Sequence, residues 1–310
     1  DGKPHAQTIR DLEQHLEHRP LYTPWRFLGR YTAIGRLAAT GCSWIYRAQD
    51  EHRKGQYVAV KVMRPSTESA ISRIMAANET AIMRHVGYPF TPTLIQAGRV
   101  ENSANGEELP FLVCEYVRGR SFPSCIRHQD RSEKRGVSAA IRHIVLAAES
   151  LQALRKVIPG YVHRDLKPQN LIVRGGHKRE MAVLLDHALA CWDGSPEMPV
   201  GGTPVHMPPE AAMARVVGRA APRDPSQDLF ALGTILFELV TDRITCGLGA
   251  CSQQQHVFLA HARGDVFVRS MRGLAAASFP PATLALVNGL LEVRPPDRPP
   301  PDELLSVLRA

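Results

Sequence analysis

The sequence predicts an α+β fold in two parts, a smaller β-rich part with one helix and a larger helical part. Three observations predict it. From Tyr31 to Tyr116 apolar and polar residues alternate in short runs, the period of half-buried strands, around a single helical stretch. From Ser138 onward the apolar period lengthens to that of helices. Within this part "DLFALGTILFELV", residues 228 to 240, is apolar all round, as a helix in the middle of a large unit must be.

Taken in order, residues 1 to 24 read as an N-terminal extension, in which Ile9, Leu12 and Leu16 trace a weak helical stripe that Pro20 ends. Residues 25 to 117 form the first domain and 118 to 310 the second, with the hinge near Val117 to Arg120. In "YVAVKVM" the alternation puts Val58, Val60 and Val62 on one face of a strand, with Ala59, Lys61 and Met63 on the other. A lysine beside a small alanine is odd in a core. It suits a flat ligand lying over Ala59 with an anionic group near Lys61. The next helix carries Ile71, Met75, Ile82, Met83 and Val86 as its apolar stripe, and Glu79 falls inside that stripe. A carboxylate on a buried face needs a cation, and Lys61, on the preceding strand, is the natural partner. In the second part "SAAIRHIVLAAESLQALRK" reads as a helix capped by Ser138, with Ile141, Val145, Ala148 and Leu151 on one face and Pro159-Gly160 as its stop.

Composition narrows the function. The 310 residues are 44% hydrophobic, enough for one large domain or two modest ones. The net charge is +8, but the basic residues are scattered and no signature of an RNA-binding module occurs, so a solvated basic surface is expected and no nucleic-acid partner. Only 7 of the 38 basic residues are lysine, so a lysine at a special position is informative. The apolar run from Leu229 to Val240 is too short to cross a bilayer, and no secretory signal is visible. The 6 cysteines are widely spaced apart from Cys246 and Cys251, which points to reduced thiols packed as small hydrophobes in a cytoplasmic protein rather than to zinc.

The most specific stretch is "YVHRDLKPQNLIV", residues 161 to 173. An acid, a lysine two residues on and an amide five residues on, followed by an apolar strand, can hold a hydroxyl, a phosphoryl group and a metal together. With Lys61 in "VAVK", Glu79, Asp186 in "LLDHALA", "GGTPVHMPPE" and "QDLFALG", the chain resembles the eukaryotic-like, or Hanks-type, Ser/Thr protein kinases from about residue 25 to residue 310.

The resemblance implies a bilobal protein-kinase-like fold and transfer of the γ-phosphoryl group of ATP to Ser or Thr hydroxyls of a protein, with magnesium or manganese. It implies Asn170 and Asp186 as metal ligands and Lys61, held by Glu79, at the α- and β-phosphates. Asp165 would accept or orient the substrate hydroxyl, and Lys167 would neutralise charge on the moving phosphoryl group. Cys114 in "FLVCEYVRG" would back the adenine pocket, with the backbone of Glu115 and Val117 bonding the base. Ile45, Ala59 and Ile172 would sandwich the ring, and Leu37 and Gly41 would belong to the loop over the nucleotide. In "PPDRPPPDELL", Arg298 would pair with Glu210.

The chain departs from the family at two places. In "LAATGCSWIYRA" the positions of three glycines hold Ala38, Thr40 and Ser43, and each added β-carbon limits how closely backbone approaches phosphate. After Asp186 the family's phenylalanine and glycine are replaced by His187 and Ala188; His187 is large enough to stack with Met83 and His163 but carries a polar edge that needs a partner. Asp186 therefore reads as a metal ligand, against the alternative of a structural acid closing a buried strand. Arg164 could clamp a phosphate between Asp186 and Glu210. Because the family uses the threonine at Thr203 to support the catalytic acid, Ser195 is the candidate for autophosphorylation, with a loop ordered by packing alone as the alternative. Two other functions stay open, a pseudokinase scaffold that binds nucleotide weakly and a small-molecule phosphotransferase of similar fold.

Overall fold

Alternation along the strands of the first part builds a sheet with two different faces. The computed structural model describes residues 25–65, 69–101, 106–122, 124, 133–176, 179–198, 201–220, 222–241, 280–300 and 305–306. The N-terminal stripe of Ile9, Leu12 and Leu16 and the pair Cys246 and Cys251 lie outside the described residues. Contacts divide the chain into two compact units, Asp1–Tyr88 with Pro92–Val117, and Pro89–Thr91 with Arg118–Ala310.

In the first unit β1 (Trp25–Phe27), β2 (Tyr31–Ala39), β3 (Ser43–Asp50), β4 (Gln56–Met63), β5 (Leu94–Glu101) and β6 (Glu108–Glu115) form one 6-stranded sheet in the order β1-β2-β3-β4-β6-β5. Every neighbouring pair is antiparallel. Helix α1 (Ser69–His85) connects β4 to β5. Val58, Val60 and Val62 enter the larger core with Phe27, Tyr31, Tyr46, Phe111 and Val113, as the alternation predicts. The opposite face packs Ala59 against Met83 of α1 and against Leu112 and Cys114 of β6. At the end of β3 the fully buried Asp50 accepts from Arg30 Nε at 2.7 Å and Nη2 at 2.6 Å, and from His52 N at 3.0 Å. The hydrogen bonds from Arg30 hold the Asp50 carboxyl below the usual carboxylate range.

The second unit holds a 3-stranded antiparallel sheet, β7 (Arg120–Ser121), β8 (Leu171–Gly176) and β9 (Arg179–Leu184). Its helices, among the described residues, are α2 (Glu133–Val157), α3 (Pro209–Val216), α4 (Ser226–Thr241) and α5 (Pro281–Leu290). Helix α2 starts well before Ser138, which sits exposed inside the helix rather than at its cap. The preceding Glu-Lys-Arg are good helix formers and extend it backward. Its buried face is also rotated from expectation, running through Ala140, Ile144, Ala147, Leu151 and Leu154 and leaving Ile141 and Val145 half-buried. Helix α4 is buried without a gap from Ser226 to Phe237, as its uniform apolarity requires. Beside it Arg298 places its guanidinium over the Phe230 ring at 5.1 Å and forks onto both carboxylate oxygens of Glu210 at 2.8 Å. Among the described residues no helix is long and apolar enough to cross a membrane.

Candidate active site

The first unit contributes a buried ion pair. The alternation of β4 places Lys61 on the Ala59 face, and α1 presents Glu79 among the buried Ser72, Ala76, Asn78, Ile82 and Met83. Lys61 Nζ donates to Glu79 Oε2 at 2.6 Å, with both side chains almost fully covered. Each charge is tolerable there because the other is present. Cys114 lies opposite Ala59 in the β4–β6 register. Burial, and then the nearby Glu79, push its thiol up to about 12, so it stays neutral. The Glu115 N–H is bonded to Thr93 O at 2.9 Å, so any bond from Glu115 backbone to a ligand must come from its carbonyl. Val117 is buried just beyond.

The β2–β3 hairpin carries the loop with the missing glycines. Ile45 pairs with Ala38 on one side and Lys61 on the other, while Leu37 and Gly41 are exposed. The Thr40 hydroxyl accepts from Cys42 N at 3.2 Å and Ser43 N at 3.0 Å, and Thr40 N donates to Ser43 O at 2.9 Å. The amides at the tip therefore have a side-chain oxygen as partner, the kind of group a phosphate would offer them.

The second unit gathers Asp165, Lys167, Asn170, Ile172 and Asp186. Asp228, buried at the start of α4, accepts from His163 N at 3.0 Å, Arg164 N at 3.1 Å and the Arg155 guanidinium at 3.1 Å. It so fixes the turn in which Arg164 adopts φ 67°. Asp165 follows with a hydrogen-bond donor on each carboxylate oxygen. Oδ1 accepts from Thr203 N and Thr203 Oγ1, each at 2.8 Å, and Oδ2 accepts from Lys167 Nζ at 2.7 Å. Lys167 Nζ also reaches Thr203 Oγ1 at 3.1 Å, and Asn170 Nδ2 donates to Asp165 O at 2.9 Å. Gly202 permits this approach: its φ is 122°, and a β-carbon there would meet Arg164 O at 2.9 Å. Ile172 is half-buried on β8.

Asp186 holds φ 61°, a left-handed conformation that aspartate tolerates better than most residues and that commonly marks a functional position. Leu185 N donates to Asn170 O at 2.9 Å, which ties the Asp186 segment to the Asn170 turn. The polar edge of His187 finds its partners. Nε2 donates to Leu184 O at 3.0 Å, so Nδ1 is the nitrogen that accepts the Tyr161 hydroxyl at 2.8 Å. The His163 and His187 rings lie 5.2 Å apart and are tilted by 51°, in contact but not stacked, whereas Met83 belongs to the first unit.

These residues fit a magnesium or manganese ion. Asn170 turns its NH2 to Asp165, which orients its amide oxygen away from that contact, and Asp186 supplies a carboxylate. Among the described residues no three His, Cys, Asp or Glu side chains gather as a metal cage. Two oxygen donors suit an ion that keeps several waters and takes the rest of its ligands from phosphate.

Residues 35–307 match the protein kinase domain family. The chain belongs to this family. It is 26% identical over 306 residues to the serine/threonine-protein kinase PkaA of Streptomyces coelicolor, covering 96% of this chain and 49% of that one. It is 31% identical over 286 residues to the serine/threonine-protein kinase PksC of the same organism, covering 89% of this chain and 48% of that one. A probable serine/threonine-protein kinase, PkwA of Thermomonospora curvata, is 27% identical over 288 residues, covering 91% of this chain and 34% of that one. The kinase domain thus spans about half the length of the first two of these relatives, or less. The Ser/Thr kinase resemblance and the α+β fold read from the motifs are borne out.

Two expectations about a phosphate between Asp186 and Glu210 change. Ser195 is buried, and its Oγ accepts from Trp192 N at 3.0 Å and Arg223 Nη1 at 3.1 Å, so in this conformation it closes a turn instead of presenting a phosphate acceptor. Arg164, proposed as a phosphate clamp, points Nη1 at Leu189 O at 3.4 Å, and burial draws its pKa below the ordinary arginine value. Sequence reasoning also missed Arg155 and Asp228 as the brace of the turn that precedes Asp165. The available signal was a lone acid at the mouth of an otherwise apolar helix, in "QDLFALG".

Proposed function

We propose that this kinase domain transfers the γ-phosphoryl group of ATP to serine or threonine hydroxyls of a protein, in the cytoplasm. The observation that carries the reading is the Asp165 carboxylate, held on both oxygens by Thr203 and Lys167. A carboxylate so fixed can orient a substrate hydroxyl and accept its proton. Lys167, within reach of the same space, neutralises charge that develops on the transferring oxygens. Lys61, anchored by Glu79, is a rigid cation for the α- and β-phosphates. Asn170 and Asp186 would hold a magnesium or manganese ion, whose chemistry when bound is to screen the negative charge of the phosphates. Leu37, Gly41, Ile45, Ala59, Cys114, Glu115, Val117 and Ile172 would contact the nucleotide.

A second reading, a pseudokinase scaffold with weak nucleotide binding, is favoured by the Thr40 hydroxyl on the amides at the hairpin tip. Incubating the wild-type chain and Asp165→Asn with labelled ATP, magnesium and a generic basic protein separates the two. The enzyme reading expects label in the protein substrate from the wild type, none from Asp165→Asn, and similar nucleotide binding by both. Equal labelling by the two proteins sinks it.

A further inference from the structure

The segment between Asp186 and Glu210 meets an arginine that the proposed chemistry leaves unused. Residues 192 to 196 form a tight turn in which Ser195 N donates to Trp192 O at 3.0 Å and Trp192 N donates to Ser195 Oγ at 3.0 Å. Arg223, exposed just before α4, lays its guanidinium on this turn. Nη1 donates to Trp192 O and to Ser195 Oγ, each at 3.1 Å, and Nη2 donates to Ser195 O at 2.8 Å and to Pro196 O at 3.1 Å. Among the described residues no carboxylate pairs with Arg223, so its planar fork of donors serves the turn alone.

The turn adjoins the stretch that carries Asp165. Cys191, the residue before it, exchanges N–H to O bonds with Val162 at 2.9 and 2.8 Å, and Asp193 N donates to Pro159 O at 3.1 Å. The only hydroxyl side chains that the sequence places between Asp186 and Glu210 are Ser195 and Thr203. Both are engaged. Ser195 is buried, and its Oγ accepts from both Trp192 N and Arg223, which uses its two lone pairs. Thr203 Oγ1 donates to Asp165 Oδ1 and accepts from Lys167 Nζ. A phosphoryl group on either oxygen would break bonds that order the segment.

We infer that Arg223 is a positioning residue that orders the segment between Asp186 and Glu210 without phosphate, so that the chain turns over with this segment unmodified. The physical basis is convergence. Four oxygens of one turn point at a single guanidinium, and a charged donor makes each of these bonds stronger than a neutral donor would. Lysine would replace it only in part, because an ammonium is a compact donor and does not reproduce the planar fork that reaches the carbonyls on both sides of Ser195. The inference rests on the kinase reading.

The test uses the full chain after treatment with a protein phosphatase, with mass spectrometry confirming that residues 187 to 209 carry no phosphate. Steady-state kinetics with magnesium-ATP and a generic basic protein gives kcat and KM, and a protease that cuts after glutamate reports access to the exposed Glu197 beside the turn. The treated wild type is expected to turn over at the untreated rate, without a lag. In Arg223→Gln kcat falls about tenfold, the worth of one net charge-assisted hydrogen bond, while KM for ATP holds. Cleavage after Glu197 quickens by a similar factor and cleavage at other glutamates does not, and Arg223→Lys recovers part of both changes. A wild type that loses its turnover on treatment, or regains it only as phosphate returns to Ser195 or Thr203, overturns the inference, leaves the kinase reading standing and needs no variant to fold. Wild-type kcat in Arg223→Gln overturns the role of Arg223, as does cleavage that quickens equally at every glutamate. A wild type that labels no substrate before or after treatment defeats the kinase reading and the inference with it.

Discussion

Removing the Thr40 hydroxyl should tighten ATP binding. In the hairpin tip that oxygen accepts from Cys42 N at 3.2 Å and Ser43 N at 3.0 Å, and both bonds must open before the amides can meet a phosphate. A hydrogen bond of this kind contributes about 0.5–1.5 kcal/mol net, with an exposed turn at the low end, so the two together hold the tip by about 1 kcal/mol. At 1.4 kcal/mol per factor of ten, Thr40→Ala should lower Kd about fivefold. Calorimetric titration with magnesium-ATP reads the change. Adenosine, which lacks phosphates, is the control and should bind both proteins equally. Unchanged ATP affinity in Thr40→Ala, or an equal gain for adenosine, would refute the reasoning.

Three further outcomes follow from buried polar contacts. Because both ring nitrogens of His187 are bonded, His187→Phe leaves the fully buried Tyr161 hydroxyl without this partner. It should cost about 1–3 kcal/mol, and a Tm equal to or above wild type would contradict that. Arg298→Ala leaves Glu210 uncompensated and should cost about 3–5 kcal/mol by urea unfolding; a loss under about 1 kcal/mol would show the pair to be dispensable. Asp50 has its folded pKa depressed by Arg30, so its contribution is present above the unfolded value of about 3.9 and is lost as pH falls through the lower folded value. Asp50→Asn should therefore be less stable at neutral pH and show a flatter loss of stability below about pH 4; parallel acid limbs in the two proteins would argue against it.

Much of the site was legible because short-range periodicity reports which face a side chain takes. The strand period put Lys61 beside Ala59, the helical stripe put Glu79 inside a buried face, and a buried carboxylate demands a cation, so their pairing followed without coordinates. The uniform apolarity of "DLFALGTILFELV" similarly made α4 a buried helix. The candidate catalytic stretch was legible for another reason: Asp165, Lys167 and Asn170 lie within six residues, close enough for local backbone geometry to bring them together. Partners far apart in sequence were not legible from periodicity, and the pairing of Arg298 with Glu210 came from the family resemblance alone. Tyr161 meets His187 across 26 positions, Arg223 meets Ser195 across 28, and Asp228 braces His163 across 65. Periodicity tells a side chain only that it is inside, and the choice among possible partners there turns on hydrogen-bond geometry at the scale of tenths of an ångström, which the packing of distant elements sets. The same limit applied to proton positions. The sequence showed that His187 was polar and needed a partner, but only the assembled tertiary structure, with Tyr161 and Leu184 on the two sides of one ring, decided which nitrogen donates and which accepts.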